Sequence, residues 1–114
     1  MLSIFVIEKE GSIVGWYSLS AYRKGREALK QVAEVSYYLH QYFCRKGLGS
    51  ELLQHALQTA KTYNFENLIA ILLESNLASI RLLEKFDFQR WGTMPEIAKF
   101  GNKKINHLYY GLKI

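Results

Sequence analysis

The amino-acid sequence predicts an α/β fold, a mixed twisted sheet with a central βαβ unit. Three observations lead to this prediction. Two short apolar segments near the start are separated by a turn sequence, residues 47–63 carry apolar side chains at helical spacing, and Asn67–Glu74 contains an unbroken apolar run. Such a run is typical of a strand covered on both faces, as in a parallel pair. The order strand, helix, buried strand is a βαβ unit with a right-handed crossover.

The first three strands follow from residue alternation and turn residues. Strands are predicted at Ser3–Glu8 and Ile13–Ser20, and a turn at Glu10–Gly11 joins them as an antiparallel hairpin. After a basic loop, Ala33–His40 is rich in aromatic and β-branched residues and predicts the third strand.

Two helices are predicted from the spacing of apolar residues. In Gly47–Tyr63 these residues recur at steps of three and four, which buries one face of the helix. They are Leu48, Leu52, Leu53, Ala56, Leu57 and Ala60. Asn76–Lys85 predicts a second helix, with Ser75 or Asn76 as its N-cap.

The chain closes with two further predicted strands. They correspond to "FDFQRWG" (Phe86–Gly92) and "INHLYYGLKI" (Ile105–Ile114), and the single proline, Pro95, falls in the connection between them. A chain of 114 residues suffices for one hydrophobic core, so residues 1–114 are expected to form a single domain.

Composition favours a soluble, unprocessed protein of a reducing compartment. The longest apolar run, Leu68–Leu73, is much shorter than the roughly 20 residues that cross a bilayer, and no leader is recognised at the start. The single cysteine, Cys44, cannot form an internal disulfide. We therefore expect a cytoplasmic protein that does not associate with membranes.

A formal charge of +5 and a pI near 9.4 favour a polyanionic partner. Nucleic acid, a membrane surface and a phosphorylated small molecule all fit that description. One hypothesis is a small nucleic-acid-binding module that uses the basic segment Tyr22–Lys30 and the tyrosine-rich strands. No known nucleic-acid motif is present, so this hypothesis is less favoured.

The segment "RKGLGS" at the start of the first predicted helix suits an anion. Free backbone N–H groups and the helix dipole make a helix N-terminus attractive to phosphate oxygens. Gly47 and Gly49 would let the backbone approach the anion, Arg45 and Lys46 would add positive charge, and Ser50 could donate a hydrogen bond. The alternative interpretation is a tight turn beside a solvated Arg-Lys pair.

Two well-known phosphate motifs do not match this segment. The P-loop requires a longer spacing that ends in Lys and Ser or Thr, and the dinucleotide fingerprint requires a third glycine where Leu52 stands.

Two longer stretches resemble the acetyl-CoA-binding half of a GNAT-superfamily N-acetyltransferase. They are "AEVSYYLHQYFCRKGLGSELL" and "ESNLASIRLLEKFDFQRWGTMPEIAKFG". Cys44–Gly49 matches the pattern [QR]-x-x-G-x-[GA] except at its first position, and Asn76, Ser79 and "LLEKFDF" match a later signature with departures. Within the superfamily the sequence is most similar to the phosphinothricin and L-amino-acid N-acetyltransferase branch. The resemblance implies the GNAT-like acyl-CoA N-acyltransferase fold, with splayed parallel strands.

The resemblance also implies acetyl-CoA as the acetyl donor and assigns its contacts. The pyrophosphate would be held by the backbone of Arg45, Lys46, Gly47, Leu48, Gly49 and Ser50. The pantetheine arm would lie along the third strand, against the backbone of Tyr37, Tyr38 and Leu39. Asn76, with Ser79 in the same signature, would lie near the thiol end. No metal is implied.

The expected reaction is direct transfer of acetyl to the primary amine of a small molecule, with an amino acid or analogue as the expected acceptor. By resemblance Glu34 is the general base, acting directly or through a water, and the N–H of Leu39 stabilises the developing oxyanion. Leu83 stands where relatives carry a tyrosine or histidine that protonates the thiolate, so that acid is missing. Asp87 replaces a glycine and is expected in a left-handed conformation.

The sequence is short at its N-terminus compared with the superfamily, which usually begins with a further strand and two helices. This leaves two alternatives open: either the sequence is shortened, or a partner subunit, as in a homodimer, supplies the missing wall of the acceptor site. A separate hypothesis is a truncated, non-catalytic paralogue that binds acetyl-CoA.

Overall fold

The computed structural model describes residues 3–40 and 47–114, which form one mixed six-stranded sheet and two α-helices. The elements in chain order are β1 (Ser3–Lys9), β2 (Ser12–Ala21), β3 (Val32–Leu39), α1 (Leu48–Thr62), β4 (Asn67–Leu73), α2 (Leu77–Lys85), β5 (Gln89–Phe100) and β6 (Lys103–Lys113). A single 3-10 turn at Glu27–Leu29 precedes β3. The strand order is β1-β2-β3-β4-β6-β5. The predicted α/β architecture is therefore confirmed.

The first two strands form the predicted hairpin. Its turn residues, Glu10 and Gly11, both have positive φ, at 52° and 80°. Two left-handed residues give a turn whose twist matches that of the flanking strands. Phe5 lies opposite Tyr17 in the resulting register, and their rings stack with centroids 4.9 Å apart.

The predicted βαβ unit is present, because β3 and β4 are parallel and α1 connects them. The apolar face of α1 packs on β2 and β3, and α2 packs against the same hydrophobic core. The largest fully buried side chains are Leu19, Leu52, Leu53, Leu68, Leu83, Leu108 and Tyr110. Within the described residues, neither helix is long and apolar enough to cross a membrane.

Both helices lie on one face of the sheet, and no described helix covers the other, which we call the open face. Strand register places Val6, Trp16 and Tyr38 side by side on it. Their side chains are 52%, 38% and 51% exposed, respectively. Glu34 lies on the same face of β3, because side chains alternate along a strand.

The last hairpin differs from the sequence-based prediction. Phe86 and Asp87 follow α2 in a turn, with hydrogen bonds back into the helix, so β5 begins only at Gln89 and not at Phe86. It then continues to Phe100, well beyond the predicted end. Pro95 lies within β5 and not in the connection, at the irregular pairing between Met94 and Ala98. A proline is tolerated there because β5 is an edge strand and lacks a complete ladder.

Asp87 adopts the expected left-handed conformation, with φ of 69°. It follows α2, and its N–H donates to the carbonyl of Glu84 at 3.0 Å.

We expect Asp87→Gly to raise the free energy of unfolding by about 0.5 kcal/mol, because glycine adopts this conformation without steric cost. Asp87→Ala should lower it by roughly 1 kcal/mol. Urea denaturation measures both, and equal stability of the glycine and alanine variants would contradict the conformational argument.

Candidate active site

The candidate site lies where β3 and β4 part. The two strands pair over four positions, from Val32 opposite Asn67 to Val35 opposite Ala70, and no pairing follows. Beyond this fork, the cleft between the strands has a volume of about 640 Å³ and reaches the first turns of α1 and α2. The splayed parallel strands implied by the family resemblance are therefore present.

Backbone direction determines which residues of β3 present hydrogen-bonding groups to the cleft. The N–H of Tyr22 donates to the Val32 carbonyl at 3.0 Å, and the N–H of His40 donates to the Val14 carbonyl at 2.7 Å. The pairing of β2 with β3 has no register shift. Every second residue of β3, counted from Val32, therefore points its N–H and C=O towards β2. The residues between them point towards β4 and, past the fork, into the cleft.

This alternation separates the three residues that the resemblance assigned to the pantetheine arm. Tyr37 and Leu39 direct their main-chain groups towards the cleft. Tyr38 also lines the cleft, but it directs its main-chain groups to Trp16 of β2, and its side chain stands on the open face. Tyr37 and Leu39 therefore offer an extended ligand their main-chain hydrogen-bonding groups, and the assignment of all three residues to the pantetheine arm stays a prediction.

The N-terminus of α1 forms one end of the cleft. Gly47 is its N-cap, has a left-handed φ of 77° and makes no side-chain cap hydrogen bond. The helix begins at Leu48. Ser50 lies in its first turn, and the Nζ of Lys85 donates a hydrogen bond to the Ser50 hydroxyl at 3.1 Å. This end of the cleft therefore combines helix N–H groups with a cation, which suits a phosphate.

The remaining residues assigned to the phosphate lie outside the described part of the chain. These are Arg45 and Lys46, and Cys44, the first position of the loop motif, lies there as well. Their assignment stays a prediction.

The two glycines of the loop differ in their surroundings. A Cβ on Gly47 would meet nothing within 4 Å, so its conformation is what requires glycine. A Cβ on Gly49 would lie 3.2 Å from the Cδ2 of Leu82. Gly49 therefore lets α1 and α2 pack closely, and a larger residue there would disturb this packing as well as any approach of an anion.

The start of α2 forms the cleft wall that faces β3. Asn76 is the N-cap, and its Oδ1 accepts a hydrogen bond from the N–H of Ser79 at 3.2 Å. The hydroxyls of Ser79 and Tyr37 are hydrogen-bonded to each other across the cleft. Burial raises the pKa of the Tyr37 phenol, and the bond to Ser79 opposes part of that shift. Leu83, fully buried, also lines this wall.

Glu34 lies near a group of polar side chains on the open face. Tyr109 of β6 stands opposite Ile71, one residue beyond the fork. Its ring meets that of Tyr22 edge to face at 6.4 Å, and the Arg23 guanidinium lies 4.7 Å from the Tyr22 ring centroid. The pKa of Tyr109 is raised first by burial and next by Tyr22, with Glu34 adding to the shift and Arg23 opposing it.

The two sides of β3 therefore differ in chemistry. The helix side carries a hydroxyl pair, a cation and the N-terminus of α1, and the open side carries a carboxylate, a guanidinium and two phenols. Within residues 3–40 and 47–114, no cluster of three or more histidine, cysteine or carboxylate side chains could hold a metal ion.

Several of these features leave little signal in the amino-acid sequence. Lys85 and Ser50 are 35 positions apart, and nothing in the local pattern joins them. The helix motif "LLEKFDF" did contain Lys85, and that was the only available signal. The family resemblance gives a role only to the main chain of Tyr37, and nothing in the sequence indicates the contact of its side chain with Ser79.

Comparison with known proteins identifies the family. The model of the acetyltransferase (GNAT) family matches residues 2–88. The chain belongs to the GNAT family. The recognition made from two sequence motifs is thereby confirmed, and the fork between β3 and β4 lies within the matched segment.

Two relatives illustrate the similarity of this GNAT chain to known proteins. YwnH of Bacillus subtilis is 38% identical over 112 residues, which cover 97% of this chain and 65% of YwnH. An L-methionine sulfoximine/L-methionine sulfone acetyltransferase of Salmonella typhimurium is 30% identical over 99 residues, which cover 86% of this chain and 57% of that enzyme. The chain thus spans less than two thirds of the length of each relative.

Solved structures match the GNAT fold closely. An N-acetyltransferase from Staphylococcus aureus superposes with a TM-score of 0.90 at 32% identity, covering 96% of this chain and 66% of the other. YncA from Salmonella typhimurium, solved with its cofactor acetyl-CoA, gives a TM-score of 0.88 at 25% identity, covering 96% and 63%. The predicted acyl-CoA N-acyltransferase fold is confirmed.

The capping role of Asn76 can be tested separately from any contact with a ligand. We expect Asn76→Ala to lower the free energy of unfolding by about 1 kcal/mol, because the first turn of α2 loses its side-chain acceptor. Asn76→Ser retains an acceptor oxygen and should lose much less. Thermal or urea denaturation without ligand measures both variants, and equal losses would contradict the capping role.

Proposed function

We propose that this protein transfers acetyl from acetyl-CoA to the primary amine of a small molecule, an amino acid or analogue. The observation that carries the proposal is the fork between β3 and β4, with a backbone edge on one side and a helix N-terminus at its end. An extended ligand with amide groups and a phosphate at one end fits this combination.

The proposed donor site follows the cleft from end to end. The N–H groups of the first turn of α1, with Ser50 and Lys85, would hold the pyrophosphate. The main-chain groups of Tyr37 and Leu39 would bind the amides of the pantetheine arm. Bound acetyl-CoA supplies an activated acetyl thioester, and Asn76 and Ser79 line the cleft on the opposite wall.

The proposed acceptor site lies on the open face. Glu34 would accept the amine proton, directly or through a water, as the nitrogen attacks. Because Glu34 and Tyr37 project from opposite faces of β3, donor and acceptor would approach the fork from opposite sides of the sheet. The reaction needs no covalent enzyme intermediate.

The acceptor class is supported by two observations. Relatives at 30% identity include an L-methionine sulfoximine/L-methionine sulfone acetyltransferase and a phosphinothricin N-acetyltransferase, both named for amino-acid analogues. Arg23 lies over the Tyr22 ring, and the charges of Arg23 and Glu34 both act on the Tyr109 phenol. A guanidinium is suited to a carboxylate. An acceptor with an amine and a carboxylate would place the amine at Glu34 and the carboxylate at Arg23.

We also propose that the protein works in the cytoplasm and as a homodimer. The single cysteine supports a reducing compartment. Apolar residues on the exposed edge strand β5 support self-association: Met94 is 45% exposed, and Ile97 and Phe100 are each 59% exposed. Exposed apolar edge strands tend to pair with another chain.

The activity is tested by measuring thiol release from acetyl-CoA with a panel of amines. Amino acids should be better acceptors than amines that lack a carboxylate. Glu34→Gln should lower kcat/KM by roughly 100-fold or more at neutral pH, because the base is lost. The loss should shrink as pH rises, because more of the amine is then deprotonated in solution.

The matched control is Glu27→Gln, which alters an exposed carboxylate that forms a salt bridge with Lys30. It should retain activity within about twofold, as expected for a surface ion pair. Acetyl-CoA binding without turnover of any amine would leave the non-catalytic interpretation. Salt-sensitive binding of RNA or DNA, with no response to coenzyme A, would instead favour the nucleic-acid module.

The dimer is tested by light scattering of the purified protein. The mass should be twice that of one chain, and Ile97→Lys should shift it to the monomer, because a charge at the apolar edge opposes pairing. Glu10→Lys, in the distant β1–β2 turn, should leave the dimer intact. A monomer mass for the parent protein would contradict the proposal.

A further inference from the structure

Acetyl transfer requires a proton donor for the leaving sulfur, and none of the residues assigned so far supplies that proton. When the thioester is cleaved, sulfur leaves as a thiolate and needs a proton. Leu83 faces the cleft from α2, and its side chain has no proton to donate. Lys85 also lines the cleft, but its Nζ is hydrogen-bonded to Ser50 at the N-terminus of α1. The donor must therefore be sought elsewhere on the described wall.

We propose that the phenol of Tyr37 protonates the leaving thiolate. This inference rests on the proposed acetyl transfer. It places the proton donor on β3, because Leu83, which faces the cleft from α2, has no proton to donate. Tyr37 follows the last paired residue, Val35, by two positions, and its side chain lies on the helix side. Its hydroxyl crosses the cleft to Ser79, beside the N-cap Asn76.

The position of Tyr37 relative to the fork supports this role. A ligand that follows the β3 edge from the N-terminus of α1 reaches Leu39 first, then Tyr37, and then the fork at Val35. A thioester at the inner end of such a ligand would lie next to Tyr37. Successive residues of one face are about 6.6 Å apart along a strand, so Tyr37 is within side-chain reach of the fork.

The protonation state of Tyr37 is also suitable. Burial raises the pKa of its phenol, so the proton is present throughout the neutral range. Among the described residues, the titratable and charged side chains on the elements packed around it belong to β2, α1, α2 and the other face of β3. They are Tyr17 on β2, Glu51, His55 and Lys61 on α1, Arg81, Glu84 and Lys85 on α2, and Glu34 and Tyr38 on β3. Tyr17 is hydrogen-bonded to His55, Lys85 to Ser50, and Glu84 to Tyr110.

The proton and electron balance is complete. The amine nitrogen forms a bond to the carbonyl carbon, and its surplus proton passes to Glu34, directly or through a water. The carbon–sulfur bond breaks, its electron pair goes to sulfur, and sulfur takes the phenolic proton of Tyr37. The Tyr37 phenolate then accepts a hydrogen bond from Ser79 and regains a proton from solvent. Ser79 is a positioning residue, because it acts through Tyr37.

The decisive variant is Tyr37→Phe, which removes the hydroxyl and keeps the ring. We expect kcat to fall by about 100-fold, the usual scale for loss of a general acid. Affinity for acetyl-CoA, measured by calorimetry, should change by less than about twofold, because the main chain of β3 is unaltered. The parent kcat should decline at high pH as the phenol ionises, and this decline should be absent in Tyr37→Phe.

The matched control is Tyr17→Phe. Tyr17 is the cross-strand neighbour of Tyr37 and also bonds through its hydroxyl, to His55 at 2.6 Å and to Thr59 at 3.0 Å, but it does not line the cleft. Tyr17→Phe should lower the melting temperature and leave kcat unchanged. If Tyr37→Phe lowers the melting temperature and leaves kcat within twofold of the parent, the hydroxyl is structural and the proposal is wrong.

A second measurement avoids dependence on the folding of Tyr37→Phe. Site-specific replacement of Tyr37 by a ring-fluorinated tyrosine keeps the hydroxyl and makes it more acidic. The high-pH decline in kcat should move to lower pH, in step with the phenol titration followed by fluorine NMR. A decline that stays in place while the phenol titration moves would overturn the assignment.

Failure of the role proposed for Tyr37 and failure of the proposed acetyl transfer give different results. If the parent protein binds acetyl-CoA but acetylates no amine, the proposed function fails. If the parent is active and Tyr37→Phe is equally active, only the role of Tyr37 fails.

Discussion

The early end of parallel pairing between β3 and β4 is the constraint on which the rest of the site depends. Backbone N–H and C=O groups need hydrogen-bond partners, and a strand edge inside a fold presents a row of them. Beyond Val35 and Ala70 the backbone N–H and C=O groups of the two strands are no longer paired with each other. The cleft that results is therefore polar along one edge although its walls are largely apolar. An extended molecule with its own amides is the natural partner of such an edge.

The helices define the ends of this cleft and give it direction. α1 begins at one end with a left-handed glycine, and Gly49 allows α2 to lie close beside it. That contact brings Lys85 to Ser50, so a charge from the end of α2 reaches the start of α1. The first turn of α2, held by the Asn76 cap, faces β3 near the fork. The polarity of the cleft thus follows from helix packing as much as from the loop sequence.

Much of this arrangement could be predicted from sequence, because the signals were local. The helical spacing of apolar residues located α1, the unbroken apolar run located β4, and the asparagine before α2 identified its cap. The family was recognisable from two motifs at the right separation. These features depend on periodicity or on short patterns, and tertiary packing did not override them.

The features that sequence analysis missed depend on contacts between distant residues or on strand direction. The exposed strand β5 lacks the alternation that marks a half-buried strand, and the sequence places its start at residues that close α2. The direction of each β3 backbone group depends on its register with β2, so Tyr38 could not be separated from Tyr37 and Leu39. The hydroxyl pair of Tyr37 and Ser79 joins two elements, and neither sequence segment alone indicates it.

The two tryptophans of the chain both lie on the open face, so tryptophan fluorescence reports on that face. Trp16 lies beside Tyr38 on β2, and the ring of Trp91 covers Gly111, where an added Cβ would lie 2.0 Å from it. Both indoles are on the side of Glu34, and neither lines the cleft on the helix side. Intrinsic fluorescence therefore reports on only one surface of the sheet. A molecule that settles near Glu34 alters the surroundings of an indole directly, whereas one that enters along β3 from the helix side is seen only through the strands between them.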